Sequence, residues 1–108
     1  MHARVVSNQI QPGKMDEWLA IIRDSVVPSL KEQDGFQGFV AQIDREHHKS
    51  IGYSMWTSAA DLAASETSGN YQQQIAKLGN VLAGAPEIIH ADLAADGWSR
   101  MAELQPAG

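Results

Sequence analysis

The sequence predicts an α+β domain of the ferredoxin-like kind, with the order β-α-β-β-α-β and the second helix split in two. Three observations carry this. Apolar residues recur at helical spacing before the stretch Lys31-Glu-Gln-Asp-Gly-Phe-Gln-Gly-Phe-Val40 and alternate after it, a change of period from about 3.6 to 2. Two alternating segments then flank the polar tip Arg45-Glu-His-His-Lys49, as in an antiparallel hairpin. A helical run and one more alternating segment follow.

The first strand is Ala3–Ile10, with Arg4, Val6, Asn8 and Ile10 on one face and Ala3, Val5, Ser7 and Gln9 on the other. Pro12-Gly13 ends it. A helix is expected from Lys14 to Gln33, where Met15, Trp18, Leu19, Ile22, Val26 and Leu30 form one buried stripe. Pro28 removes a backbone donor inside that pattern and should kink the last turns. Gly35 suits the positive φ that closes a helix, and Gly38 marks a bulge or close approach early in the next strand.

That second strand is Phe36–Asp44 and the third is Ser50–Thr57, where Ile51, Tyr53 and Met55 alternate against Gly52, Ser54 and Trp56. Ser58 with Asp61 three residues on resembles a capping box, so a helix starts there. Ser68-Gly69-Asn70 breaks it. A second run, Tyr71–Leu82, lines up Tyr71, Ile75, Leu78 and Leu82. The fourth strand is Glu87–Ala94, with Ile88, His90 and Asp92 on one face. Residues 1–95 are read as the domain and 96–108 as an extension carrying a short helix with Trp98, Met101 and Leu104.

A chain of 108 residues has room for one domain. Its net charge of −5 argues against nucleic acid, which needs a basic face. Without cysteine there is no disulfide and no thiolate ligand or nucleophile. The beginning Met-His-Ala-Arg-Val-Val lacks a long apolar run and no stretch reaches the roughly 20 apolar residues of a membrane span, so a cytoplasmic protein is expected. Two helical segments cover only one face of a four-stranded sheet. The alternation leaves apolar residues on both faces, so the bare one predicts a homodimer stacked sheet to sheet.

The residues Ile10-Gln-Pro-Gly13, Val26-Val-Pro28, Gly35-Phe-Gln-Gly38, Met55-Trp-Thr-Ser58 with Leu62, and Tyr71 occur in an order and spacing that resembles the antibiotic biosynthesis monooxygenase family of dimeric α+β barrel proteins. The resemblance covers roughly residues 3–94. It implies a homodimer with a pocket in each subunit between helices and sheet. It also implies cofactor-independent oxygenation of small aromatic, polyketide or quinone-like substrates, or haem degradation in one branch. For that branch Asn8 matches the Asn of the first strand, but Ser65 and Ile75 stand where its Trp and His are expected, and Ser58–Ala85 contains neither residue type. Haem ligation of that type is therefore not expected, and no cofactor is expected. The main expectation is a cofactor-independent monooxygenase; the alternative is a non-catalytic dimeric binder of a small apolar or aromatic ligand.

Five residues are candidates for the site. Asn8, on a strand among apolar neighbours, could donate to a substrate carbonyl or a developing oxyanion, or be a structural Asn satisfied by backbone. His90 is the only histidine in a predicted regular element and is the candidate general base; facing the barrel or solvent is its other reading. Trp56 could stack on a planar ring but reads equally as core. Tyr53 and Tyr71 could donate to a phenolate, although a Tyr on an apolar stripe more often packs in the core. His47 and His48 at the hairpin tip read as a solvated turn, because metal binding needs three or four convergent ligands, so no metal is expected.

Overall fold

The computed structural model describes residues 1–94. The expected helix around Trp98, Met101 and Leu104 lies outside the described residues. Strands β1 (His2–Gln9), β2 (Phe36–Asp44), β3 (Lys49–Trp56) and β4 (Glu87–Asp92) form one antiparallel sheet in the order β2-β3-β1-β4. This is the ferredoxin-like plan, with the helices on one face. The register shifts between Phe36 and Gly38, where the glycine suggested a bulge.

The first helical stretch is not uniform. It runs as α1 (Met15–Ile21), a π-helical segment (Ile22–Val26) and α2 (Val27–Leu30). Pro28 sits in the first turn of α2. Proline has no N–H to return to the carbonyl four residues back, and the widened turn before it lets the Val27 N–H reach the Ile22 carbonyl. The disturbance expected from Pro28 thus takes the form of a π-turn.

Ser58 caps α3 (Ala59–Thr67), its hydroxyl accepting from the Asp61 N–H at 3.2 Å. Ser68 ends α3 and caps α4 (Gly69–Leu78), so the expected break is a corner between two helices. The α4 helix stops at Leu78, four residues short of the expected end.

Two small cores hold the helices on the sheet. One gathers Ile10, Met15, Trp18, Ile22 and Val81; the other gathers Leu30, Trp56 and Leu62, with Phe36 set edge-on to Trp56 at 5.5 Å. Burying each tryptophan removes roughly 150–250 Å² from water, on the order of 4–6 kcal/mol before entropy. Among the described residues no helix is long and apolar enough to cross a membrane.

Gly35 connects α2 to β2 at a φ of +79°. A Cβ there would collide with the Asp61 carboxylate, which itself accepts from the Ser58 hydroxyl. Left-handed backbone costs an ordinary residue about 1–2 kcal/mol and the clash adds to it. Gly35→Ala should therefore destabilise the fold by about 2 kcal/mol or more, lowering Tm by roughly 10 °C in a thermal melt. An unchanged Tm would contradict this account of the corner.

Candidate functional site

Strand register divides the sheet into two chemically different faces. On the helix side the cross-strand rows are Phe39–Ser54–Arg4–His90, Ala41–Gly52–Val6–Ile88 and Ile43–Ser50–Asn8. The central strand β3 thus contributes only Ser50, Gly52 and Ser54 to the middle of this face. These side chains are too short to meet the helices, and a cavity of about 470 Å³ lies between. A Cβ on Gly52 would come within 3.1 Å of the Phe39 ring, so glycine lets that ring lie over the strand.

The cavity walls are mostly apolar, with Ile22, Val26, Phe39, Ile75, Leu78 and Ile88 among them. Of the α4 stripe, Tyr71 and Ile75 face this space and Leu78 lines it while also packing against the Trp18 core, and α4 buries no residue fully. Polar side chains tie it to the first helical stretch. The Ser25 hydroxyl donates to Gln74 Oε1 at 2.8 Å, Lys77 Nζ donates to Ser25 Oγ at 2.7 Å, and the Asn70 amide donates to Ser29 Oγ.

Two polar groups mark the ends of the floor. Asn8 is 6% exposed; its Nδ2 donates to Ser50 Oγ at 3.2 Å, its one side-chain hydrogen bond among the described residues. Arg4 sits four residues away on the same face, about 13 Å along the strand. It is 5% exposed, and its guanidinium lies over the Tyr71 ring (4.8 Å to the centroid) and the Trp56 ring (5.6 Å). Arg4 Nη1 donates to Ser65 Oγ at 3.1 Å, and that hydroxyl donates in turn to the Leu62 carbonyl. The nearest carboxylate, Glu66, stays 3.9 Å from Nη1, because the same oxygen meets His90 Nε2 at 2.8 Å. Burial lowers the Arg4 pKa from its ordinary value, with the Tyr71 and Glu66 fields opposing. Burial also raises the Tyr71 phenol, against the Arg4 charge.

Of the five expected site residues, the cavity brings together Asn8 and Tyr71. Trp56 is fully buried behind the floor, its indole N–H donating to Ser54 Oγ at 2.9 Å. It belongs to the core with Leu30 and Leu62 and adjoins the cavity through Arg4. Tyr53 is on the opposite face of the sheet, its hydroxyl donating to Gln42 at 3.0 Å, so alternation keeps it out of the cavity. His90 lies on the edge strand β4 with its side chain half exposed, at the outer end of the Arg4 row, and does not line the cavity. The residue overlooked is Arg4. Its signal was an arginine on the same strand face as Val6, Asn8 and Ile10. Trp18, read only as core, also lines the cavity, and its indole N–H has no partner among the described residues. Where the haem-degrading branch has Trp and His, Ser65 and Ile75 line the space, and no histidine does among the described residues. Nor do the described residues cluster three metal-ligating side chains.

Comparison with known proteins supports the fold. SnoaB, a cofactor-independent oxygenase from Streptomyces nogalater, superposes with a TM-score of 0.75 at 10% identity, over 88% of this chain and 94% of that one. Rv0793 from Mycobacterium tuberculosis gives 0.72 at 14% identity, over 88% and 96%. At such identities the likeness is one of fold. The uncharacterized proteins Rv2558 and Rv2557 of Mycobacterium tuberculosis are 34% identical over 65 residues, 60% of this chain. The match spans only 28% and 29% of those two proteins. The family model described as antibiotic biosynthesis monooxygenase matches residues 1–77, and the chain belongs to that family.

Proposed function

We propose that the chain is a homodimeric, cofactor-independent monooxygenase that oxidises a small aromatic, polyketide- or quinone-like molecule in the cavity between helices and sheet. One observation carries this reading: a space of about 470 Å³ with apolar walls and polar groups concentrated on its floor. That is the size and make-up of a small-molecule site. Family membership supports it.

The chemistry needs little from the protein. A substrate CH₂ activated by an adjacent aromatic carbonyl loses a proton to give an enolate. The enolate passes one electron to O₂, and recombination gives a hydroperoxide. Loss of water leaves a carbonyl, so CH₂ and O₂ become C=O and H₂O. The Asn8 amide is suited to hold the enolate oxygen, and dry walls protect the carbanion. Tyr71, a phenol already neutral near pH 7 and pushed further up by burial, acts as a neutral donor and not as a base. His90 serves as a proton acceptor only from the rim, through water, since its Nε2 meets Glu66. Trp56 contributes through its cation–π contact with Arg4.

A second reading, a non-catalytic dimeric binder, is favoured by the lining, which holds no carboxylate or imidazole among the described residues. Oxygen uptake with anthrone- or quinol-type compounds separates the two: uptake above the uncatalysed rate supports the enzyme, and saturable binding without uptake supports the binder. On a verified substrate Asn8→Ala should lower kcat at least tenfold with the fold intact, because an oxyanion donor is worth roughly 3 kcal/mol. Unchanged kcat removes Asn8 from the mechanism.

The homodimer rests on the other face of the sheet. There the rows are Gly38–Met55–Ala3–Ala91 and Val40–Tyr53–Val5–Ile89, with Val40 45% and Ile89 50% exposed. A second copy of this surface is the self-complementary cover, and an obligate interface of this kind often exceeds about 2,000 Å² in total. In this reading residues 1–95 are the dimerising domain and 96–108 an extension beyond it. Tm should rise with protein concentration, and Val40→Asp should lower both Tm and mass in light scattering. A monomer mass at micromolar concentration with a concentration-independent Tm would overturn the dimer.

The Tyr71 assignment has its own check. An acid whose folded pKa is raised keeps its proton longer in the folded state. Stability is therefore unaffected below the unfolded value of about 10 and falls as pH rises past it. Tyrosinate absorbance should show a component titrating above the ordinary value that Tyr71→Phe removes. Its persistence in the variant would show that Tyr71 is not that group.

A further inference from the structure

We propose that the cavity selects a ligand carrying a carboxylate, which docks on Arg4 while the aromatic part of the ligand extends over the floor toward Asn8. This deepens the reading of the cavity as a small-molecule site and rests on it. Arg4 is the only charged residue lining the cavity among the described residues. A guanidinium carries five N–H donors, and this one makes a single hydrogen bond there, to Ser65. Glu66 would be its natural partner, but at 3.9 Å it is outside hydrogen-bond reach, held toward the surface by His90. The Tyr71 and Trp56 rings both lie within cation–π distance of the guanidinium and contact its charge without using its N–H donors.

The neighbouring polar atom has the same character. Ser54 pairs with Arg4 across the β1–β3 ladder; its oxygen already accepts from Trp56, and its own proton has no acceptor among the described residues. This end of the cavity therefore offers donors and positive charge. A carboxylate, planar and acceptor-only with two oxygens, matches the edge of an arginine fork. It would also neutralise a cation that burial leaves poorly compensated. Arg4 and Asn8 are about 13 Å apart along one strand face, so a planar ring system anchored by its acid group at Arg4 would present its far ring to Asn8.

Two naphthalene derivatives of one shape test this: 2-naphthoate and the neutral 2-naphthylmethanol, each titrated by calorimetry near neutral pH into the full chain. The carboxylate should bind at least tenfold more tightly. Arg4→Gln should bring the two affinities within about twofold of each other. Glu66→Gln, which removes the competing negative charge, should widen the difference. Equal affinities in the unmodified protein, or a preference that survives Arg4→Gln, would overturn the proposal while leaving the cavity as a binding site. Binding of neither compound would overturn both. If Arg4→Gln fails to fold, Glu66→Gln decides: a difference that does not widen counts against Arg4 as the anion's partner.

Discussion

The inner face of β3 carries Ser50, Gly52 and Ser54 where a sheet packed under helices would ordinarily carry large aliphatic side chains. Close packing is the default of protein interiors, and short side chains in the middle of a sheet leave space that the helices cannot fill without collapsing onto it. Here they do not collapse, because a compact core on either side props them up. Trp18 with Ile10 and Val81 forms one, and Trp56 with Leu30 and Leu62 forms the other. The cavity is thus built by the sequence, at the cost of the burial a filled sheet would have gained.

Arg4 shows a similar departure. A charge moved from water into a protein interior loses several kcal/mol of solvation unless hydrogen bonds and counter-charges restore it. Two aromatic faces recover about 0.5–2 kcal/mol each, and the Ser65 hydroxyl adds a charge-assisted bond. A fold seeking stability alone would place a carboxylate in bidentate contact. Glu66 is near enough to be that group, yet its oxygen goes to His90. Polar groups left short of partners in an otherwise well-formed structure cluster where ligands bind.

Much of this could be read beforehand. Alternation places Arg4, Val6 and Asn8 on one face of β1, and Ile51, Tyr53 and Met55 on one face of β3; which of these faces coincide is set by the register between the strands, where Tyr53 pairs with Val5 and Ser54 with Arg4. Tyr53 falls outside the cavity only through that register, which pairs residues distant along the chain. Arg4 shares the strand face of Val6 and Asn8, but its spacing is equally that of a long cationic side chain reaching solvent. The π-turn was legible only as the proline that provokes it. What the sequence could not supply is the distinction between a buried stripe and one facing a void. Tyr71, Ile75 and Leu78 have the same spacing in either case, and the deciding fact lies on β3, in residues distant along the chain.

That last distinction governs how α4 is held. A helix seated on a packed core is fixed by area removed from water, and dislodging it re-exposes that area. The α4 helix buries no residue completely; Leu78 packs on the Trp18 core, and the rest of the helix is held over the cavity by bonds among Ser25, Ser29, Asn70, Gln74 and Lys77. Partly exposed hydrogen bonds trade for bonds to water at a net cost near 1 kcal/mol each, so they hold orientation more than they oppose opening. Elements with little buried apolar area and exposed hydrogen bonds are those that open at the least free energy. The short residues of β3 therefore do two things at once: they make room for a ligand, and they take away from α4 the packing that would have closed that room.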